Sequence, residues 1–208
     1  MIRLLASLLE FILTIFYQNR LYARFYVLET VARVPYFAYL SVLFLFESLG
    51  GWRKEDSLKI HFAQSWNELH HLRIIQALGG DRYWIDRFIA GIGVLVYYWI
   101  LVFVYMVARR KAYYFTQVVE EHAYHTYDTF LKEREAELRA TPAPQVAIDY
   151  YCGGDLYLFD QFQSAHQSPN RRPKINNLYD VFIAIRDDEL EHVKTMESCA
   201  TDAPEQVN

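Results

Sequence analysis

Cysteine, glycine and proline are scarce in this sequence of 208 residues, which has two Cys, eight Gly and six Pro. Cys152 and Cys199 lack the spacing of metal ligands, so neither a disulfide framework nor a thiolate site is supported. There is no glycine-rich phosphate loop and no dinucleotide-binding fingerprint. The net charge is −4 and basic residues form no stripe, which argues against nucleic acid as a partner. No transit segment or cleavable signal is evident, so we expect a mature form, a prokaryotic chain or a trimmed one.

Apolar residues are abundant instead: the sequence is 53% hydrophobic and 17% aromatic. This aromatic content exceeds what the core of a soluble helical bundle needs. Aromatic side chains with one polar end are favoured at membrane interfaces. The length suits one substantial core. We therefore predict a single domain over residues 1–208 that contacts a membrane.

Two Glu-x-x-His motifs, Glu68/His71 and Glu189/His192, give the first indication of chemistry. On an α-helix this spacing places both side chains on one face, one turn apart. The motif is common by chance, and a single Glu is as readily explained by a solvated helix face. Here, however, Glu29 and Glu120 add one carboxylate from each of two further helical segments. This is the ligand set of ferritin-like di-iron bundles, so we predict two irons about 3.5–4 Å apart.

The hydrophobic pattern and the breaker residues predict an all-α fold, a ferritin-like antiparallel four-helix bundle with two short apolar membrane-surface helices. The predicted segments are an interfacial helix at 3–18, bundle helices at 22–47, 57–78, 103–138 and 178–198, and an irregular region at 141–176. A core helix is the alternative for 3–18. A kink is expected at Pro35.

An uncharged stretch at 88–108 is long enough to cross a bilayer. Glu120 must nevertheless return to the same bundle as Glu68. Gly91 and Gly93 also weaken one continuous helix. We therefore interpret the stretch as a membrane-surface helix, followed after a bend by the helix that carries Glu120, with a transmembrane span as the alternative.

Five segments resemble the alternative oxidase family, most closely its plastid branch. They are 28–36 (LETVARVPY), 67–72 (NELHHL), 120–127 (EEHAYHTY), 149–160 (DYYCGGDLYLFD) and 186–192 (RDDELEH). The resemblance covers about residues 22–196, and 149–160 resembles the insertion of the plastid branch. It implies iron ligands at Glu29, Glu68, His71, Glu120, Glu189 and His192. Two departures from the plastid pattern, Phe44 and Arg109, touch no ligand.

Other site residues follow partly from spacing. Tyr127 lies two helical turns after Glu120, which places a phenol near the metal; the resemblance implies a redox role, and core packing is the alternative. Asn67 and Asp188 each precede a ligand histidine by four residues, so either could hydrogen-bond an imidazole. The resemblance adds Tyr105 to that network. It also implies a quinol site at Arg24, Leu28, Ala123 and Thr126.

The resemblance implies a membrane-bound quinol oxidase that uses plastoquinol-type quinols and reduces dioxygen to water. No chain of ionisable groups crosses the membrane, so we expect no proton pumping. The alternatives are a di-iron quinone hydroxylase and an iron-storage or structural bundle. The expected partners are a quinol, dioxygen, one leaflet of a thylakoid membrane in a plastid or cyanobacterium, and, as a candidate, a second copy in a homodimer.

Overall fold

In the computed structural model, the described residues are 16–17, 20–51, 54–161 and 173–202. They form α1 (Leu21–Ala32), α2 (Val34–Ser48), α3 (Glu55–Ala77), α4 (Trp84–Val107), α5 (Arg109–Ala140), α6 (Gln145–Cys152), α7 (Leu156–Gln161) and α8 (Leu178–Asp202). These ranges contain no β-strand, which confirms the all-α prediction. The predicted helix 3–18 falls outside the described residues except at Phe16 and Tyr17.

Helices α1, α3, α5 and α8 form the bundle, and side-chain contacts give their directions. Tyr22, at the start of α1, packs against Phe130 and Phe182. Glu29, at the end of α1, accepts a hydrogen bond from Tyr127. Helix α1 therefore runs antiparallel to α5.

The pair α3 and α8 is antiparallel as well. Asn67 contacts His192, whereas His71, one turn further along α3, contacts Asp188. Phe182, early in α8, packs on Phe25 in α1 ahead of Glu29, so α1 and α8 run in the same direction. The antiparallel four-helix bundle is thus present.

The predicted helix 22–47 is two helices. Helix α1 ends at Ala32 and α2 begins at Val34, with Pro35 in its first turn. Proline has no N–H for the i−4 carbonyl, and its ring clashes there, so the helix divides at Arg33. Both pieces contact α3 and α4, but α1 contributes its buried residues to the core of the bundle, whereas α2 contributes to a second core with α4 and the start of α5.

Two predictions about α4 are wrong: the helix is not short, and the next helix does not begin at residue 103. It is continuous from Trp84 to Val107, and the chain bends at Ala108, where φ is −151° and ψ is 57°. A carbon atom added at Gly91 or Gly93 would meet nothing within 4 Å, so both glycines weaken the helix only through backbone entropy. That cost is about 1 kcal/mol each, and burial of one face of the helix outweighs it.

The region 141–176 is not wholly irregular, because it contains α6 and α7. Isolated helices of eight and six residues are unstable in water. Tertiary contacts stabilise α6: the Tyr150 ring stacks on His70 of α3 at 4.1 Å between centroids, and Tyr151 is fully buried. Tyr150, Tyr151 and Phe159 therefore form part of the core.

Helix α4 has two unlike faces. One packs on the rest of the protein through Ala90, Leu101 and Tyr105. The other, the apolar face of α4, consists of exposed side chains at Phe88, Ile89, Ile92, Leu95, Val96, Trp99, Ile100, Phe103, Met106 and Val107. An exposed apolar surface of this extent marks an interaction site.

Candidate metal centre

The four glutamates and two histidines predicted as ligands come together inside the bundle. Each is at most 2% exposed. One ligand atom from each of Glu29, Glu68, His71 and Glu189 lies within 4.8 Å of the others, and the same holds for Glu68, His71 and His192. Glu120 lies within hydrogen-bond reach of Glu189. The described residues thus hold four carboxylates in one small volume.

Burial and mutual repulsion make this cluster unfavourable without cations. Desolvation raises the pKa of Glu29 to about 7, with Glu189 adding to the effect. Desolvation and the neighbouring carboxylates also raise the pKa of Glu68 and of Glu120 well above the usual value. Six of the eight carboxylate oxygens accept no hydrogen bond of normal geometry: Glu29 Oε2, Glu120 Oε2 and both oxygens of Glu68 and Glu189. Orphaned buried oxygens flanked by imidazoles fit iron well.

His71 points one ring nitrogen into the cluster and the other away. Its Nδ1 lies 3.2 Å from Glu189 Oε1, whereas its Nε2 lies 3.1 Å from Asp188 Oδ2. Burial alone would lower the pKa of His71, but the hydrogen bond with Asp188 and the nearby carboxylate of Glu189 raise it to about 10. Asp188 therefore sets the tautomer and the orientation of this imidazole.

The hydrogen-bond partners of Asn67 and Asp188 differ from the simplest reading of the sequence. Each precedes a histidine of its own helix by four residues. In the structure each contacts the histidine of the other helix: Asp188 lies against His71, and Asn67 Oδ1 lies 2.8 Å from His192 Nε2. Asn67 Nδ2 also donates to Asp188 over 2.9 Å. Hydrogen bonds therefore join the two Glu-x-x-His motifs, because the antiparallel helices place each motif opposite the other.

We expect Asp188→Asn to weaken iron binding by about 10- to 100-fold, the usual loss when the partner of a ligand histidine is removed. The amide removes the negative charge beside His71 Nε2 and puts a donor in place of one carboxylate oxygen, although Asn67 Nδ2, His71 Nε2 and the Tyr151 hydroxyl all lie against this group. The measurement is ferrous iron affinity by competition with a chelator. Asp187→Asn is the matched control, because Asp187 is half-exposed and pairs with Arg186. Equal affinities for the two variants would contradict this role.

Two tyrosines reach the carboxylates in a reciprocal arrangement. Tyr127 follows Glu120 by seven residues and donates its hydroxyl hydrogen to Glu29. Tyr36 follows Glu29 by seven residues and donates to Glu120 Oε1 over 2.9 Å. The Tyr36 hydroxyl also lies 3.1 Å from His192 Nδ1. Tyr36 was missed, although the seven-residue spacing used for Tyr127 would have found it.

Tyr150 and Tyr151 were also missed as neighbours of the centre. The Tyr150 hydroxyl accepts a hydrogen bond from Asn67 Nδ2 over 2.6 Å, and the Tyr151 hydroxyl donates to Asp188. Helix α6 therefore covers the hydrogen-bonded pair Asn67 and Asp188. No local spacing signals these contacts, because α6 is distant in sequence from α3.

The remaining predicted residues lie further out. Tyr105 belongs to the second core, the buried cluster that α2, α4 and the start of α5 form around Tyr39 and Tyr113. Its hydroxyl lies 3.4 Å from Thr116 Oγ1. Its membership of the hydrogen-bond network around the imidazoles stays a prediction. The predicted quinol residues Arg24, Leu28, Ala123 and Thr126 are half-buried. The first two share one face of α1 and the last two one face of α5, where Phe25 of α1 stacks on Tyr127 of α5.

Such a bundle, with carboxylates and histidines facing inward, defines the ferritin-like class of metal-binding helical proteins. The profile described as Alternative oxidase matches residues 2–201, and the chain belongs to that family. It is 57% identical, over 91% of its length, to the chloroplastic/chromoplastic ubiquinol oxidase 4 of Arabidopsis thaliana, of which it covers 54%.

Mitochondrial relatives are more distant. The chain is 30% identical to the mitochondrial ubiquinol oxidase 1a of Oryza sativa subsp. japonica, over 88% of this chain and 50% of that protein. It is 29% identical to the mitochondrial ubiquinol oxidase 2 of Nicotiana tabacum, over 86% of this chain and 54% of that protein. The chain thus spans about half the length of these relatives. The higher identity to the chloroplastic protein agrees with the resemblance to the plastid branch.

Proposed function

We propose that this chain is a membrane-bound di-iron quinol oxidase that oxidises plastoquinol-type quinols, reduces dioxygen to water and pumps no protons. The observation that carries the proposal is the buried cluster of orphaned carboxylates with the Tyr127 hydroxyl directly against it. The quinol oxidase relatives support the substrate class. Two quinols supply the four electrons and four protons that convert one dioxygen into two waters.

The irons would be held by Glu29, Glu68, Glu120 and Glu189, with His71 and His192 beside them. When bound, they would supply the sites and the redox change for dioxygen reduction. The protein residues exclude water from this volume and hold Glu29 and Glu120 through the two tyrosine hydroxyls. Tyr127 also offers a hydroxyl hydrogen within the reacting volume.

We place the quinol at Arg24, Leu28, Ala123 and Thr126, where the Arg24 guanidinium can donate to a ring oxygen. Glu29 lies next to Leu28 on α1 and Tyr127 lies next to Thr126 on α5. A quinol there would therefore contact residues that directly precede Glu29 on α1 and Tyr127 on α5. Arg24→Gln should therefore raise the KM for quinol more than it lowers kcat.

Oxygen uptake by iron-loaded protein with a panel of quinols, combined with product analysis, tests the proposal. Quinol-dependent uptake with water as the product supports it. Oxygenated quinone would instead indicate a hydroxylase. Absence of quinol-dependent uptake would favour an iron-storage or structural bundle.

We propose further that the protein lies on one leaflet of a thylakoid membrane of a plastid or cyanobacterium. The segments Leu21–Ser48 and Trp84–Val107 are both long and apolar enough to span by composition. However, α4 packs along α1 and α2, with Asp86 against Arg20 at one end and Tyr98 on Ser41 further along. A spanning α4 would therefore place the acidic cluster at membrane depth. Embedding only the apolar face of α4 avoids this cost.

The topology is tested by cysteines introduced at Arg82 and Lys111, on the two sides of α4, with both native cysteines replaced. Labelling of both from the same side of sealed vesicles agrees with one leaflet. Labelling from opposite sides would make the monotopic model wrong.

We expect Leu95→Asp/Trp99→Asp to reduce binding to lipid vesicles by more than about a hundredfold, since each large apolar side chain contributes roughly 1.5–3 kcal/mol when buried. Both residues are exposed, at 64% and 67%, so folding should tolerate the change. Co-sedimentation with vesicles measures the effect. The double variant Thr129→Asp/Ala136→Asp, at exposed positions of α5, carries the same charge change as a control. A similar loss in the control would mean that charge, rather than the apolar face, governs binding.

A further inference from the structure

A cavity of 420 Å³ lies between α1, α2, α3 and α4, outside the predicted quinol site. Its lining includes Thr30, Arg33, Phe37, Ser41, Leu72 and Tyr98. Ligand pockets in proteins have about 300–1,000 Å³, so this cavity can hold one substituted aromatic ring.

The cavity approaches the metal centre from the side opposite the predicted quinol residues. Thr30 directly follows Glu29, and Leu72 directly follows His71. At 3.6 residues per turn, Leu28 and Thr30 point to nearly opposite sides of α1, with Glu29 between them. A molecule in the cavity and one at Leu28 would therefore lie on either side of the same carboxylate.

The polar groups in the cavity suit a ring that carries two oxygens. The Arg33 guanidinium lies 5.2 Å from the Phe37 ring centroid, and its buried Nε–H donates to no group in the described part of the chain. Burial lowers the pKa of Arg33, and attraction by Glu68 opposes this, so an additional acceptor would be favourable there. The Tyr98 hydroxyl donates to Ser41 Oγ over 2.8 Å and keeps its oxygen as an acceptor.

The surroundings of the cavity suit a long apolar tail. Val94 and Tyr98 line it from α4, next to the exposed residues Leu95 and Trp99 of the apolar face. Phe37, which lines it from α2, is 42% exposed. A tail leaving the cavity would therefore run along apolar surface toward the lipid.

We propose that this cavity is a second binding site for the head group of a quinol or its quinone. Arg33 donates to one ring oxygen of either form, and Tyr98 accepts from the ring hydroxyl that only the quinol carries. The proposal rests on the oxidase function proposed above. Each quinol releases two electrons and two protons, so one dioxygen consumes two quinols. Two sites flanking Glu29 allow both quinols to be bound to one chain at the same time.

The test is the stoichiometry with which a short-tailed oxidised quinone binds to the iron-loaded protein, measured by calorimetry without reductant. We expect two quinones per chain for the wild type and one for Val94→Trp, whose larger side chain fills the cavity. Val96→Trp is the matched control on the same helix, because Val96 is 57% exposed and should keep both sites. Arg33→Gln provides a second variant and should weaken one of the two sites by about 10- to 100-fold.

Different results overturn different claims. One quinone per wild-type chain, with Val94→Trp unchanged, would exclude the second site and leave the oxidase proposal intact. Displacement of one quinone by phosphatidylglycerol alone would assign the cavity to lipid. Two bound quinones without quinol-dependent oxygen uptake would overturn the oxidase proposal and keep the second site.

Discussion

Glu120→Asp should leave the iron-loaded protein with oxidase activity near background. Glu120 is fully buried, and the shorter side chain withdraws its carboxylate by about 1.5 Å, one carbon–carbon bond. The shift moves the carboxylate away from Glu189 and from the Tyr36 hydroxyl, which in the wild type lies 2.9 Å from Glu120 Oε1. Removing a partner of a metal ligand already costs about 10- to 100-fold, so displacing the ligand itself should cost more.

The measurements are quinol-dependent oxygen uptake and bound iron per chain. Glu121→Asp is the matched control, because it makes the same change one residue away. There Glu121 is half-buried and accepts a hydrogen bond from Gln117 instead of facing the cluster. Full activity of Glu120→Asp with two irons bound would remove Glu120 from the site.

Tyr127→Phe should fold and bind iron normally but turn over about 10- to 100-fold more slowly. The variant keeps the ring that stacks on Phe25 at 4.7 Å between centroids, so packing of the core is preserved. It loses only the hydroxyl, which donates to Glu29. Without the hydroxyl, the Glu29 carboxylate is no longer held in its orientation, and the hydroxyl hydrogen beside the metal cluster is absent.

Turnover, iron content and thermal unfolding should be measured together. Tyr113→Phe is the control, because Tyr113 is also buried but packs in the second core against Tyr39 and Tyr105. Unchanged turnover in Tyr127→Phe would leave Tyr127 as a packing residue.

The helices and most of the cluster were predictable because they rest on local regularities. The 3.6-residue period places Glu68 with His71 and Glu189 with His192 on one helix face, whatever the rest of the chain does. Pro35 and the glycines at 50 and 79 end or divide helices for equally local reasons. Both glycines adopt positive φ, 86° and 82°, where a side chain would be strained.

Predictions failed where a distant contact outweighs local preference. Helices α6 and α7 are too short to be stable alone. They form because Tyr150 and Tyr151 of α6 are buried against α3 and α8, and Leu156 and Phe159 of α7 are buried in the core. Helix α4 continues through two glycines because its buried face packs on the bundle. The helix also includes Phe103 and Tyr105, because the bend falls at Ala108, five residues after the expected boundary.

The sequence alone determined which residues can meet on one helix, and therefore the two motifs, the two additional glutamates and the position of Tyr127. Only the tertiary structure decided which helix faces which. It paired Asp188 with His71 and Asn67 with His192, brought Tyr36 to Glu120, and formed the cavity beside Arg33. The physical reason is that spacing along a helix is set by backbone hydrogen bonds within that helix, whereas contacts between helices depend on the packing of the whole core.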